Sequence, residues 1–561
     1  MQTFEDYQYE RPDMKQEKET FRTLLQQFSN ASTAEQQHEA VSAINDFRNR
    51  LATLENLVYI RASIDMNDAF YQGERDFFDE IAPEIQEMTT TFYKELLTSP
   101  FRRDLEDKWG TQLFKIAESE IKAFSPEIMP LLQKENRLST EYSKLVASAQ
   151  VAFNGGTYTL AQLRPFTEHE DRDIRKQAVD ASAGFFADNA EKFDDIYDQL
   201  VQTRHEIATT LGYENFVALG YIRMQRIDYD ADMVARFRKQ VRESIVPLVT
   251  KLYEKQAEQI SVDKLKYHDE NFEFPDGNAT PKGSPEWIIE NGKTMYAELS
   301  PETKDFFQFM LDRNLMDLEA KKGKEAGGYC TFIEDYESPF IFSNFNGTSG
   351  DIDVLTHEAG HAFQFYSSRK IGIPEYIVPT SEAAEIHSMS MEFFTWPWME
   401  LFFKEETSKY KYAHLKDGLQ FLPYGVAVDE FQHLVYENPE WTPKQRKDAW
   451  KQLEEKYLPH RDYDGNSYLE AGGFWQRQGH IYEDPFYYID YTLAQVCAFQ
   501  FWKRSRKEPD AAWKDYLNLC KLGGSQSFLG LVDAANLTSP FAEGCVDSVI
   551  APIKEWLENN K

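Results

Sequence analysis

Cysteine is scarce in this chain of 561 residues: there are four, Cys330, Cys497, Cys520 and Cys545, widely spaced and with no C-x-x-C pair. A disulfide scaffold is excluded, and the four read as reduced, buried, small apolar side chains of a cytosol-like compartment. Long hydrophobic runs are absent as well; none reaches the about 18 residues that a spanning helix needs. The opening Met1-Gln2-Thr3-Phe4-Glu5-Asp6-Tyr7 carries an early acidic pair and lacks the apolar stretch of a secretory signal. Positive charge is the third shortage, with 61 Lys and Arg against 94 Asp and Glu, a formal net charge of −33. Such a surface repels phosphate backbones and anionic headgroups, so neither nucleic acid nor a membrane surface is expected as a partner. A soluble, cytoplasmic protein is expected.

What the chain does have is core-forming material. Apolar residues make up 42% and aromatics 14%, which excludes global disorder. At about 150 residues per domain the length allows three or four domains or one large helical body. Most segments repeat apolar residues at helical steps, as in Leu51, Leu54, Leu57 and Val58, or Val234, Phe237, Val241, Ile245, Leu248 and Leu252. No fixed-period repeat marks a solenoid. The region from Pro275 to Pro285, dense in turn formers, reads as a long surface loop. Tyr329–Ile333 and Phe340–Phe345 break the helical habit, being rich in aromatic and branched residues between turn formers. The expected fold is mainly α with one small β-sheet beside the helix that carries the chemistry. An exposed edge at Phe340–Phe345 would offer main-chain pairing to an extended peptide; burial of the same strand as core is the alternative.

That helix contains His357-Glu358-Ala359-Gly360-His361, an H-E-x-x-H motif. Its histidines stand one turn apart on one face and can ligate one zinc ion. Catalytic zinc sites use three protein ligands and leave one position to water, which Glu358 is placed to reach. A candidate third ligand is Glu385, 24 residues beyond His361, on a helix expected to start near Thr380-Ser381-Glu382 and end near Trp396-Pro397. Glu392, two turns past Glu385, is suited to accept a hydrogen bond from a ligand imidazole, and Asp353 is a second candidate for that role. Ordinary helix solvation is the alternative for both acids. Gly360 costs about 1 kcal/mol in mid-helix relative to alanine, which points to close packing of another element there.

With these residues in view, the sequence resembles the thimet oligopeptidase and oligoendopeptidase F zinc peptidases, in particular the shorter Pz-peptidase-like bacterial members. The likeness rests on His357 to His361, on Glu385-Ile386-His387-Ser388-Met389-Ser390-Met391-Glu392, on Phe345-Asn346-Gly347-Thr348 and on the block from Gly472 to Tyr491. It is weaker over the first 160 or so residues, and the chain divides into an N-terminal helical region, 1–165, and a catalytic zinc-peptidase domain, 166–561. The resemblance implies one zinc ion held by His357, His361 and Glu385, with Glu358 as general base. It also implies a two-lobed helical body around a deep channel that admits oligopeptides and excludes folded proteins.

The block before Tyr491 is crowded with aromatics: Tyr482, Tyr487, Tyr488 and Tyr491 lie close to His480. A packed aromatic face would explain them; so would donors aimed at the oxyanion of a tetrahedral intermediate. In the family pattern, a histidine and downstream tyrosines contact substrate here, and His480, Tyr488 and Tyr491 match it best. The block is one residue shorter than in the thimet branch, so Tyr482 and Tyr487 stay without an assigned role, and so does His387. Gly472-Gly473 would serve as a hinge for this segment. The expected function is a zinc oligoendopeptidase. A zinc carboxypeptidase, or a non-catalytic helical peptide-binding protein with a vestigial metal site, are the competing readings.

Overall fold

The computed structural model describes residues 2–560. Its helices follow the apolar spacing. In α1 (Ala34–Ile64) Val41, Ile44, Leu51, Leu57, Val58 and Ile60 fall on buried positions, and Thr33 caps the first turn by accepting from the Gln36 amide at 3.3 Å. Behind it come α2 (Ala69–Leu97) and α3 (Met129–Ala147). Residues of α1 and α2 join Phe21, Phe28, Leu113 and Phe114 in an N-terminal core of their own. Tyr376 reaches into it from the later part of the chain, where its hydroxyl accepts from the Leu113 amide at 2.8 Å.

A hairpin of β1 (Val151–Phe153) and β2 (Gly156–Tyr158) follows. It adds a second small sheet to the one expected beside the H-E-x-x-H helix, giving two among the described residues. The turn is Asn154-Gly155, both residues at positive φ, 45° and 77°, which fits the strand twist of a two-residue hairpin. Two helices further along the chain, Leu160–Thr167 and Arg172–Asp188, lead to α4 (Ala190–Thr210).

The larger sheet is the expected one beside the H-E-x-x-H helix. It is built from β3 (Met316–Glu319), β4 (Tyr329–Ile333) and β5 (Ser338–Phe345) in the order β3-β5-β4. Here the edge reading of Phe340–Phe345 fails. β5 is central, parallel to β3 and antiparallel to β4, with Tyr329 opposite Phe342, and nearly every side chain in it is buried. β3 and β4 form the edges, and β4 is the one that lines the main cleft, through Tyr329 and Cys330.

The chemistry-bearing helices come after the sheet: α5 (Gly350–Ser368), α6 (Ser381–Phe394), α7 (Thr407–Glu437), α8 (Tyr488–Ser505) and α9 (Pro509–Leu522). α6 is wedged between α5 and α8. Ile352, Leu355, Ala359, Ile386, Met391, Leu493 and Ala494 meet there without solvent contact. At Gly360 the contact is between backbones: a Cβ would stand 2.6 Å from the His387 carbonyl oxygen and 2.6 Å from the Ser388 Cα. The glycine allows α5 and α6 to cross at this distance.

The glycines read as a hinge have a packing role instead. A Cβ on Gly472 would meet the Lys447 carbonyl at 2.3 Å, and one on Gly473 the Tyr468 ring at 2.4 Å. Three of the cysteines are buried as expected, whereas Cys330 on β4 is half-buried and lines the main cleft. Among the described residues no helix is long and apolar enough to cross a membrane.

Candidate metal centre and active site

α5 is fixed at its start by Asp351, whose carboxylate accepts from the Asn346 and Gly347 amides at 2.8 and 2.9 Å. A carboxylate there also opposes the positive end of the helix dipole. Two turns on, His357 and His361 face α6, their ring centroids 5.1 Å apart. α6 begins at Ser381 and ends at Phe394, as the sequence indicates, although Thr380 makes no side-chain capping bond. Its Glu385 points back at both rings: Oε2 is 3.1 Å from His357 Nε2 and 3.4 Å from His361 Nε2.

These separations bear on whether a zinc ion fits. Ligand atoms about 2.0–2.1 Å from a tetrahedral ion stand about 3.3 Å apart. One ligand atom from each of His357, His361 and Glu385 lies within 4.8 Å of the others. Two imidazole nitrogens and one carboxylate oxygen are also the donor types that zinc accepts. The residues present fit the ion.

Hydrogen bonds fix which nitrogen faces the site. His357 Nδ1 is 2.7 Å from Glu392 Oε1, which keeps a proton on Nδ1 and leaves Nε2, turned towards Glu385, as the nitrogen that could ligate an ion. Glu392 Oε2 is 2.8 Å from His414 Nε2, and His414 Nδ1 accepts from Trp396 Nε1 at 3.1 Å. Glu392 therefore fills the role foreseen for it. Asp353, the other candidate, does not; it accepts from the Tyr410 hydroxyl at 2.7 Å. Burial alone would raise the Glu385 carboxyl, but the imidazoles of His361 and His357 hold it well below the usual carboxylate range. Ser388 Oγ donates to Glu385 Oε2 at 2.9 Å, and the Tyr487 hydroxyl donates to Oε1.

Glu358 lies beside the cluster, 6% exposed, and among the described residues its Oε2 has no hydrogen-bond partner. Burial raises its pKa, against the opposing pull of His357 and His361. Such a carboxylate is ready to take up a proton.

The C-terminal block wraps over this cluster. Tyr424 donates to Gln478 Oε1 at 2.9 Å, which turns the Gln478 amide nitrogen to His480 Nδ1 at 2.8 Å. The proton of His480 is thus on Nε2, 3.0 Å from the Tyr491 hydroxyl. Burial lowers the His480 pKa and keeps the ring neutral. Tyr488 lines the adjoining cavity, its ring 5.7 Å from Phe421. Tyr482 belongs to the core: it is fully buried and stacked on Tyr142 at 4.0 Å. His387 is enclosed too, between α6 and α9, where its backbone carbonyl accepts from Tyr516 at 2.8 Å.

The segment is anchored from behind. Phe486 adopts φ 70°, rare for a bulky side chain. Its amide donates to Gln432 Oε1 at 2.7 Å and its carbonyl accepts from Arg226 at 2.5 Å. Arg226 also binds Asp490 at 2.8 Å, both fully buried.

Two cavities, of about 730 and 360 Å³, meet at this cluster, sharing Gly328, His357, Glu358, His480 and Tyr491. Tyr59, Arg75 and Tyr142 of α1, α2 and α3 wall the larger one opposite the metal-site residues. The helical body is thereby parted by a deep cleft with the donor cluster in its floor. Sequence reasoning missed His414, Tyr410 and Gln478, and left Tyr487 unassigned.

Comparison with known proteins agrees with the class that this arrangement defines, a helical peptidase. The chain belongs to peptidase family M3, whose description matches residues 166–549, and the peptidase M3 N-terminal domain matches residues 4–124. A curated relative, the oligoendopeptidase F homolog of Borreliella burgdorferi, is 23% identical over 496 residues, covering 82% of this chain and 79% of its own. The solved Pz peptidase A with inhibitor 2 is 61% identical, covers 99% of each chain and superposes with a TM-score of 0.99. Oligoendopeptidase-F from Enterococcus faecium shares the fold at a TM-score of 0.65 with 15% identity, over 98% of each chain. The kinship read from the motifs holds.

Proposed function

We propose that this family M3 peptidase is a zinc-dependent oligoendopeptidase that hydrolyses internal bonds of short, unstructured peptides. The observation that carries the reading is the convergence of His357, His361 and Glu385 beside the unpartnered carboxylate of Glu358. His357 Nε2, His361 Nε2 and Glu385 would hold the ion, with Glu392 and His414 orienting His357. Bound there, zinc would polarise the scissile carbonyl and make a neighbouring water more acidic.

Glu358 takes the proton from the attacking water and passes it to the amine as the C–N bond breaks. Neutral His480, protonated on Nε2, and the phenols of Tyr491 and Tyr488 donate to the oxygen on which negative charge develops. An extended peptide pairs with the free edge of β4, binding by main chain and leaving side-chain demands few. The enclosing cleft favours oligopeptides over folded proteins. In this scheme residues 1–165 supply its far wall and 166–561 the catalytic body.

The test is hydrolysis of internally quenched peptides with both termini blocked, before and after chelation and after zinc is restored. Internal cleavage that zinc restores supports the endopeptidase; cleavage only from a free C-terminus favours a carboxypeptidase. Zinc binding without any turnover leaves a peptide-binding protein.

A further inference from the structure

The smaller cavity, about 360 Å³, opens directly off the reaction centre. Among the described residues, four carboxylates line it and no lysine or arginine does. Three are accounted for. Asp353 holds Tyr410 at 2.7 Å, Glu392 holds His357 and His414 at 2.7 and 2.8 Å, and Glu358 is the candidate base.

The fourth is Asp417, exposed on α7, and among the described residues no ion pair or side-chain hydrogen bond engages it. The basic side chains nearest it are already engaged: Arg164 with Glu168 at 3.1 Å, the His414 ring with Glu392 at 2.8 Å, and Lys416 with Glu273. The cavity wall also carries Phe421, one turn beyond Asp417, and Tyr488, two aromatic faces with centroids 5.7 Å apart. Gln495 lies one turn past Tyr491, 6% exposed, and among the described residues its carboxamide makes no hydrogen bond.

A free carboxylate, an unpartnered amide and two ring faces are complementary to an alkyl stem that ends in a cation. We propose that this cavity receives an arginine or lysine side chain flanking the scissile bond, with Asp417 as the residue that selects it. The inference rests on the peptidase reading above and deepens it by naming a substrate class. A neutral polar side chain of equal length lacks the charge that Asp417 would meet, and an acidic one meets repulsion from the whole lining.

The experiment uses the zinc-loaded full-length chain and quenched peptides identical except next to the scissile bond. That position carries Arg, Lys, citrulline, norleucine or Glu, on each side in turn. On one side the Arg and Lys peptides should exceed citrulline and norleucine by about tenfold in kcat/KM. In Asp417→Asn the Arg-to-citrulline ratio should fall to about one, and Asp417→Lys should shift preference towards Glu. Equal rates for all peptides on both sides would overturn the inference and leave the peptidase reading intact, and so would a ratio that survives in Asp417→Asn. The wild-type comparison needs no variant to fold. If no peptide is cleaved at all, it is the peptidase reading that falls.

Discussion

Glu358 and Tyr487 line the same cleft as His357, His361 and Glu385 and should fail in different ways. Glu358→Gln keeps the shape of the side chain and all three metal donors but cannot carry a proton. Turnover should drop by about 10²–10⁴-fold, the range for a positioned acid–base group, while metal content by elemental analysis stays at the wild-type level. Tyr487→Phe removes the phenol that braces Glu385 Oε1. Its signature should be a metal affinity weaker by about 10–100-fold, as for other partners of a ligand; chelator competition reads it, and unchanged affinity would deny Tyr487 that role. The sequence made the Glu392–His357 contact legible, because both residues lie in motifs with helical spacing. His414 and Tyr410 were not legible. They come from α7, whose apolar residues run around most of its circumference, so no stripe singles out the face turned to the site. Tyr482 and Tyr487, five residues apart, differ only in which side of a short irregular stretch they occupy, and nothing local in the sequence decides that.

Among whole elements, the α5–α6 crossing is the joint on which the site depends, because two of the proposed ligands, His357 and His361, ride on one helix and the third, Glu385, on the other. Gly360→Ala would drive a methyl to within 2.6 Å of the His387 carbonyl oxygen and the Ser388 Cα, both backbone atoms that cannot rotate away. The helices must separate, at a cost of about 1–3 kcal/mol. The displacement also carries Glu385 away from His357 and His361. Thermal unfolding should show a lower midpoint than wild type and a smaller upward shift on adding zinc; a lowered midpoint with the full zinc shift would mean that the crossing is structural only. The cost of a mid-helix glycine was readable from sequence, and so was the sheet beside α5. The strand order of that sheet was not: β3, Met316-Asp317-Leu318-Glu319, has neither β-branched nor aromatic residues to announce a strand, so whether β5 was an exposed edge or a buried core strand stayed open. The β1–β2 hairpin carried its own signal, an Asn-Gly pair between short alternating runs, and was passed over amid helical neighbours.

For the molecule as a whole, acid should loosen the joint between α7 and the segment that carries the tyrosines. His433 is 6% exposed, 3.1 Å from the Tyr221 hydroxyl and with its ring 5.0 Å from Phe486. Burial drives its pKa down from 6.5 to about 4, with Asp429 pulling the other way. Above pH 6.5 the ring is neutral folded or unfolded and its contribution is complete. As pH falls towards 4, the unfolded chain takes up a proton that the folded chain refuses, so stability drains away by up to about 1.4 kcal/mol per pH unit. Half-buried acids such as Glu334 and Glu483, raised to about 8 chiefly by desolvation, work in the opposite direction, so the wild-type curve alone mixes the two. A difference isolates the histidine. His433→Gln cannot titrate but keeps all the acids, so its deficit in unfolding free energy relative to wild type should be largest near pH 7 and should shrink steadily between pH 6.5 and 4. Urea unfolding at pH 7, 5.5 and 4.5 measures it. Parallel curves for the two proteins would mean that His433 is protonated as readily in the fold as outside it, and that the joint behind Phe486 takes its strength from Arg226 and Asp490 instead.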